Sequence, residues 1–166
     1  MSYLVIGMGF ILTLMLQMGV ASRLPLLSGT ADLILLFLAA WSLQEHVKHF
    51  WIITIIAGIF VSLISAMPLY SPLIAYMSVI GIAYMLKQRV WQTPVLAMFL
   101  VVFSGTLLQQ FLYILSLQVS GITISWSTSF TFVTLPSLLI NMLLVIPVYA
   151  VVQDLSMRVN PKGQDL

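Results

Sequence analysis

Residues 132–152 read FVTLPSLLINMLLVIPVYAVV, a run without a single charged side chain. An α-helix of ~20 apolar residues is long enough to cross the ~30 Å hydrocarbon layer of a bilayer. The run is continuously apolar and does not alternate with polar residues, which favours a membrane helix over a strand of a β-barrel. This stretch therefore predicts a membrane-spanning helix near the end of the chain.

Five further apolar runs have a similar length, at about residues 3–20, 24–43, 50–67, 69–86 and 94–117. Of the 166 residues, 61% are hydrophobic and 6% are charged, whereas soluble domains carry about 25% charged residues. We therefore predict an all-α polytopic membrane protein with about six transmembrane helices. Residues 1–155 would form a single transmembrane domain, and residues 156–166 a short cytoplasmic tail.

The positive charges predict how such a chain is oriented. With six spans, only Arg23 lies on one side, and the other side holds Lys48, Lys87, Arg89, Arg158 and Lys162. The side richer in Lys and Arg faces the cytoplasm. We therefore expect a multi-pass protein with both termini in the cytoplasm.

The second apolar run is the least regular of the six. Its strongly apolar part, residues 33–41, is too short to cross a bilayer alone, and the polar stretch 28–32 precedes it. The span must therefore borrow residues 24–27 or begin in a pocket shielded by protein, because lipid leaves backbone groups unpaired. Thr30 is predicted as the N-cap of this helix, with Asp32 in its first turn.

Asp32 is the only acidic residue near a membrane-embedded position. An ionisable residue at that depth is a candidate functional residue. The alternative is a helix-start residue at the outer surface that pairs with Arg23.

Polar and small residues mark one side of the fifth span. Gly105, Gln109, Tyr113 and Ser116 fall on roughly one face, and Gln110 adds a second amide. Such residues hold membrane helices together or line a ligand pocket. Both interpretations stay open for this span.

The last span carries a similar pair. Ser137 and Asn141 are four residues apart and therefore share a face. Pro136 is predicted to begin this helix, because its missing N–H costs nothing in a first turn. The two polar side chains either bond a neighbouring helix or line a pocket.

The sequence contains little that indicates catalysis. It has no cysteine, no HExxH, no GxSxG and no glycine-rich phosphate loop. His46 and His49 are three apart, but a zinc site needs a third protein ligand. We therefore predict no enzyme activity and no cofactor; the alternative is a membrane enzyme such as an intramembrane protease or lipid transferase.

The order of these features resembles the bacterial rod shape-determining protein MreD family, over roughly residues 12–155. The resemblance is carried by Leu16-Gln17, Gly29, the 32–36 stretch DLILL, Gly58, Pro68-Leu69, the basic pair Lys87 and Arg89, the 135–141 stretch LPSLLIN, Pro147 and Tyr149. Two positions depart from the family pattern: Ala31 stands where members have Pro, and Ser62 where they often have an acid.

The resemblance implies a non-enzymatic scaffold of the cell-elongation complex in the bacterial plasma membrane. Such a scaffold helps organise peptidoglycan synthesis and cell shape. It associates with the bitopic protein MreC, and through it with MreB, RodA and a penicillin-binding transpeptidase. The implied fold is similar to that of S components of energy-coupling factor transporters.

The main alternative is such an S component itself, which binds a vitamin near the outer face. Those subunits are also small and almost entirely membrane-embedded, so the fold does not separate the two. The loop that contains Ser125, Trp126 and Ser127 could supply part of a vitamin site. The first span, however, lacks the Ala-x-x-x-Ala face by which those subunits dock their coupling protein.

Overall fold

A computed structural model describes residues 2–19, 21–23, 27–44, 50–65, 68, 70–89 and 93–159. Within these ranges every regular element is helical, which confirms the all-α prediction for the described part of the chain. The α-helices are α1 (Ser2–Gly19), α2 (Leu33–Ser42), α3 (Phe50–Ile64), α4 (Tyr70–Arg89), α5 (Pro94–Val119), α6 (Trp126–Ser129) and α7 (Leu135–Val159). The two histidines, the link that holds them and the tail from residue 160 lie outside the described residues.

Helix α2 is the centre of the bundle although it has only 10 residues. It packs against α1, α4, α5 and α7 and touches α3. All its residues from Ile34 to Trp41 are buried, on every side of the helix. A helix that is apolar all round is stable only when other elements surround it. The apolar run at residues 33–41 is thus explained by its central position.

Helix α5 has clear signals at both ends. It begins with Pro94 directly after the N-cap Thr93, where a missing N–H costs nothing. At the other end the Gly121 N–H donates to the Gln118 carbonyl (3.0 Å), and the Ile122 N–H donates to the Leu117 carbonyl (3.1 Å). Gly121 has a φ of 85°, and this combination is a Schellman motif that stops the helix.

The last helical rod begins earlier than the sequence predicts. α6 starts at Trp126 and runs through a π-helical turn, Phe130–Thr134, into α7. The loop between the last two spans is therefore shorter than the predicted 118–131. Pro136 is not the start of the helix, because the Ser- and Thr-rich residues before it are already helical.

Among the described residues, two helical rods are long and apolar enough to cross a membrane by length and composition. They are Pro94–Val119 and the continuous rod Trp126–Arg158. Shorter apolar helices cover Ile6–Gly19, Leu33–Ser42 and Phe50–Ile64. This pattern indicates that the protein associates with a membrane.

Candidate functional site

An extended segment, residues 28–32, leads into α2 and lies against α7. Its alternate backbone N–H groups all donate to the last helical rod: Ser28 to the Phe132 carbonyl (3.1 Å), Thr30 to Ser137 Oγ (3.2 Å) and Asp32 to Asn141 Oδ1 (2.9 Å). In an extended chain, every second residue faces the same side. The last helical rod therefore accepts hydrogen bonds from one edge of this segment, as a neighbouring β-strand would.

Pro136 explains how the first of these bonds can form. In a regular helix the N–H of residue 136 would donate to the carbonyl of Phe132, but proline has no N–H. The Phe132 carbonyl is left free and accepts the Ser28 N–H instead. Pro136 therefore does not begin the helix as predicted; it leaves the Phe132 carbonyl free to accept the Ser28 N–H.

Ser137 and Asn141 continue this face one turn further along α7, and both are buried. Four helical residues rise ~6 Å and two extended residues span ~6.6 Å. The i, i+4 spacing of these two side chains therefore matches the i, i+2 spacing of Thr30 and Asp32. The face of α7 that the sequence predicts Ser137 and Asn141 to share is therefore the face that binds this segment.

Gln17 of α1 holds the same segment from its other side. Its Nε2 donates to the Ala31 carbonyl (2.9 Å), and its Oε1 accepts the Leu33 N–H (2.7 Å). A side-chain amide carries one donor and one acceptor group, so it can pair with a peptide backbone as another strand does. We call residues 28–33 together with Gln17, Ser137 and Asn141 the polar seam.

Gly29 is required by how closely the segment approaches α7. A Cβ at this position would lie 2.5 Å from the backbone nitrogen of Ser137 and 2.8 Å from Pro136 Cβ. Neither of those atoms belongs to the far end of a flexible side chain, so the backbone itself would have to move. The glycine of the family resemblance thus permits the seam to close.

The Asp32 side chain joins the seam to the rest of the bundle. Its Oδ1 accepts the Leu35 N–H (2.8 Å), which makes Asp32 itself the N-cap of α2. Its Oδ2 accepts Tyr76 Oη (3.1 Å) and Gln109 Nε2 (2.5 Å). The prediction of Thr30 as the N-cap is wrong, because the helix begins two residues later than that prediction requires.

Further hydrogen bonds extend this cluster into α5. Gln109 Nε2 also donates to Tyr113 Oη (3.1 Å), and Asn141 Nδ2 donates to Thr106 Oγ1 (3.1 Å). The polar groups that the sequence places on separate spans therefore form one network. It ties α1, α2, α4, α5 and α7 together around a single carboxylate.

The predicted candidate residues divide into three groups. Asp32, Gln109, Ser137 and Asn141 come together in the network, and Pro136 lies beside it against Gly29. Gly105 lies on the same side of α5 but packs against Val79, where an added Cβ would come within 2.8 Å of that side chain. Gln110 is half-buried and makes no hydrogen bond within the described residues.

Two other sequence-based expectations have different outcomes. Ser116, on the predicted polar face of α5, donates to Tyr70 Oη (3.3 Å) and not to the network. Asp32 is not paired with Arg23; among the described residues the salt bridge found is Asp154 with Arg158. The Asp32 carboxylate accepts hydrogen bonds from uncharged donors, namely a backbone N–H, a hydroxyl and a side-chain amide.

Gln17, Tyr76 and Thr106 are the network residues that sequence reasoning missed. Gln17 appears in the family resemblance without an assigned role, and Thr106 lies next to the glycine of the predicted face. All three are polar groups inside apolar helices, which is the signal that could have identified them. What no pattern gives is which of these groups face one another.

The hydrogen bonds of this network connect neighbouring helices to one another. Its donors and acceptors are engaged with one another, and the strongest acceptor, the Asp32 carboxylate, receives three separate groups. Over the ranges that the structure describes, no group of three or more His, Cys, Asp or Glu residues could hold a metal ion. The arrangement fixes the position of α2 among its neighbours.

The sequence matches no family model and no curated protein, and the fold matches no solved structure.

Proposed function

We propose that this protein is a non-enzymatic scaffold of the bacterial cell-elongation complex, embedded in the plasma membrane. It would associate with a bitopic protein similar to MreC, and through it with MreB, RodA and a penicillin-binding transpeptidase. The observation that carries the proposal is the Asp32 network, in which polar side chains from several helices of the bundle bond each other. Because this network joins the helices of the bundle to one another, we expect the protein to act through its surface.

The membrane topology is part of this proposal. Helix α2 spans ~15 Å and the extended residues before it ~16 Å, which together approach the ~30 Å hydrocarbon layer. Irregular backbone is tolerated at membrane depth only where protein surrounds it, and the polar seam supplies that surrounding. Six crossings with both termini in the cytoplasm then agree with the distribution of Lys and Arg.

The surface of the bundle supports the same proposal. Exposed large apolar side chains follow one another along α3, among them Ile52 (58%), Phe60 (49%) and Leu63 (70%). Contiguous apolar surface of this kind needs lipid or another apolar surface against it. Membrane helices of a partner complex can occupy part of it.

A second candidate is an S component that binds a small molecule at the outer face. It is favoured by a hollow of about 480 Å³ in the loop after α5, lined by Gln118, Gly121, Ile122, Thr123, Ile124 and Ser125. Ligand pockets of drug-sized molecules have ~300–1,000 Å³. Trp126 does not line this hollow, because its ring packs on Phe111 with centroids 5.6 Å apart.

Affinity purification of the tagged protein from its native membrane, followed by mass spectrometry, separates the two candidates. The scaffold proposal predicts recovery of a bitopic protein together with a glycosyltransferase or a transpeptidase. Recovery of paired ATPases with a membrane coupling protein would contradict it and support the S component.

A further inference from the structure

The Asp32 carboxyl group is buried and has no cation beside it. Its oxygens accept the Leu35 N–H, the Tyr76 hydroxyl and the Gln109 amide. The described residues bring no Lys, Arg or His within salt-bridge distance of it. An apolar interior disfavours a carboxylate without a cation, whereas three hydrogen-bond donors favour the charged form. These opposing effects allow the carboxyl group to gain and to lose a proton.

Both protonation states of Asp32 find hydrogen-bond partners in this geometry. Tyr76 Oη lies 3.1 Å from Asp32 Oδ2 and is also a hydrogen-bond partner of the Tyr113 hydroxyl. When Asp32 is charged, Tyr76 donates to the carboxylate. When Asp32 is neutral, its own O–H donates to Tyr76 Oη, and the Tyr76 hydroxyl donates to Tyr113 instead. Because a hydroxyl both donates and accepts, this reversal breaks no link of the chain.

Polar side chains continue from Tyr113 to the end of α5. Gln109, Tyr113, Ser116 and Ser120 are four, three and four residues apart and therefore share one face of α5. Ser116 Oγ donates to Tyr70 Oη (3.3 Å) at the start of α4, where Tyr70 is 48% exposed. Gln109 is ~15 Å along the helix axis from the end of α5. We call the end of the bundle where α4 begins and α5 ends the loop end.

The loop end also contains a buried hydroxyl without a partner. Ser71, next to Tyr70 in α4, is 2% exposed, and its Oγ bonds no protein group. Buried polar groups of this kind are normally bonded by an ordered water molecule. The start of α4 is therefore a position that favours hydration of the loop end.

In the opposite direction from Asp32 the bundle is apolar. Helix α2 continues from Asp32 with Ile34–Trp41, all of which are buried. Thr106, about one turn further in on α5, is engaged by Asn141. The surfaces of α4 and α5 beyond the Asp32 network include five apolar side chains that are 0% exposed: Val79, Ala83, Met98, Val101 and Val102. Among the described residues packed around α2, no row of hydroxyls leads to the opposite end.

We propose that Asp32 is a reversible proton-binding site that exchanges protons with the solution at the loop end and not with the solution at the opposite end. Tyr113 takes a proton from the loop end and passes its own to Tyr76, which passes its own to the carboxylate. Each hydroxyl gains one proton and loses one, so the net change is one proton taken from solution and one negative charge neutralised at Asp32. The inference needs the membrane location that belongs to the proposed function, but not the partner complex.

The groups around Asp32 leave a single carboxylate to explain a dependence on pH. Tyr76 of α4 and Tyr113 of α5 are the titratable side chains that face it within the described residues. Helices α1 and α7 bring the amides of Gln17 and Asn141, which do not titrate. Helix α3 contains no acid, base or tyrosine.

Infrared spectroscopy of the purified protein in lipid vesicles tests the proton site. A protonated carboxyl group has a C=O stretching band that a carboxylate lacks, and the band is followed from about pH 4 to about pH 9, which covers buried carboxyl groups. The proposal predicts a band that appears reversibly as the pH falls, that is absent from Asp32→Asn and that remains in Asp154→Asn, whose acid is exposed and paired with Arg158. A wild-type spectrum without a pH-dependent band that requires Asp32 would overturn the proposal.

Two tyrosine variants keep the test independent of whether Asp32→Asn folds. Tyr76→Phe should shift the frequency of the band, because the carboxyl group loses its hydroxyl partner. Tyr113→Phe should keep the band but slow its response to a pH jump about tenfold, as for loss of one hydrogen bond that carries charge. Ser78→Ala is the control without effect, since that hydroxyl bonds the Ile74 carbonyl within α4. An unchanged frequency in Tyr76→Phe, or an unchanged rate in Tyr113→Phe, would contradict the route.

Vesicles with a different pH on each side test the direction of exchange. Insertion in one orientation is verified with a protease that removes a C-terminal tag, because α7 ends at the opposite end of the bundle. The Asp32 band should follow the pH at the loop end. A band that follows the pH at the opposite end, or at both ends, would rule out one-sided exchange. Affinity purification that recovers no bitopic protein would end the scaffold proposal and leave these results unaffected.

Discussion

The polar seam and helix α3 show two different ways to hold an apolar segment in one bundle. The seam is held to the last helical rod by hydrogen bonds between residues more than 100 positions apart, such as Asp32 N–H to Asn141 Oδ1. In α3 the hydroxyls bond within the helix: Thr54 to the Phe50 carbonyl (3.2 Å) and Ser62 to the Gly58 carbonyl (2.6 Å). Helix α3 is positioned by shape, because Gly58 lets Leu73 of α4 approach closely.

This difference shows where specificity is needed. A helix satisfies its own backbone, so α3 needs only a complementary surface to pack on. The extended residues 28–32 cannot satisfy their backbone alone, and each N–H that faces α7 requires a partner at a defined position. Changes in the seam should therefore reduce stability strongly, and changes on the outer face of α3 should not.

The largest effect is expected for Asp32→Ala. This substitution leaves the Leu35 N–H, the Tyr76 hydroxyl and the Gln109 amide without their acceptor, and each orphaned group costs ~1–3 kcal/mol. The melting temperature of the purified protein should fall by about 10 °C, since ~1 kcal/mol corresponds to ~2–4 °C for a chain of this size. A melting temperature equal to wild type would mean that the carboxylate does not hold the bundle together.

A smaller loss is expected for Gly29→Ala, because the added Cβ collides with the backbone of α7. Steric strain of this kind costs ~1–3 kcal/mol, so the melting temperature should fall by about 5 °C. Gly81→Ala is the matched control, since nothing lies within 4 Å of a Cβ there and alanine favours a helix. Equal melting temperatures for the two variants would refute the close approach of Gly29 to Ser137.

Pro136→Ala should have a modest effect. The new N–H would compete with Ser28 for the Phe132 carbonyl, so one bond of the seam is exchanged for one bond of the helix. We expect the melting temperature to change by less than about 3 °C, while the amide hydrogen of Ser28 exchanges faster with solvent. Unchanged exchange at Ser28 would show that the vacant carbonyl is not what positions this segment.

The smallest effect is expected on the outer face of α3. Leu63 is 70% exposed, and Leu63→Ala should change the free energy of unfolding by no more than ~0.5 kcal/mol. Thermal unfolding of the purified protein provides the comparison with Gly29→Ala. A loss from Leu63→Ala as large as that from Gly29→Ala would remove the contrast between the two regions.

The sequence alone predicts the helices well, because a continuous apolar run in a membrane must form its backbone hydrogen bonds within the same segment. It also predicts the shared face of Ser137 and Asn141, because the i, i+4 rule acts within one helix. It does not predict that Gln17 and Tyr76 face Asp32, because pairing between distant helices leaves no periodic signal. The early start of the last rod is missed as well, since Ser and Thr favour turns in isolation and are helical here only in their tertiary context.

Gln109 and Gln110 test the central claim most directly, because they are adjacent and chemically identical. Thermal unfolding of the purified protein is measured for Gln109→Leu and Gln110→Leu in parallel. We predict that Gln109→Leu lowers the melting temperature by about 5 °C, from the loss of its bonds to Asp32 and Tyr113, whereas Gln110→Leu leaves it unchanged. Equal melting temperatures for the two variants would contradict the account.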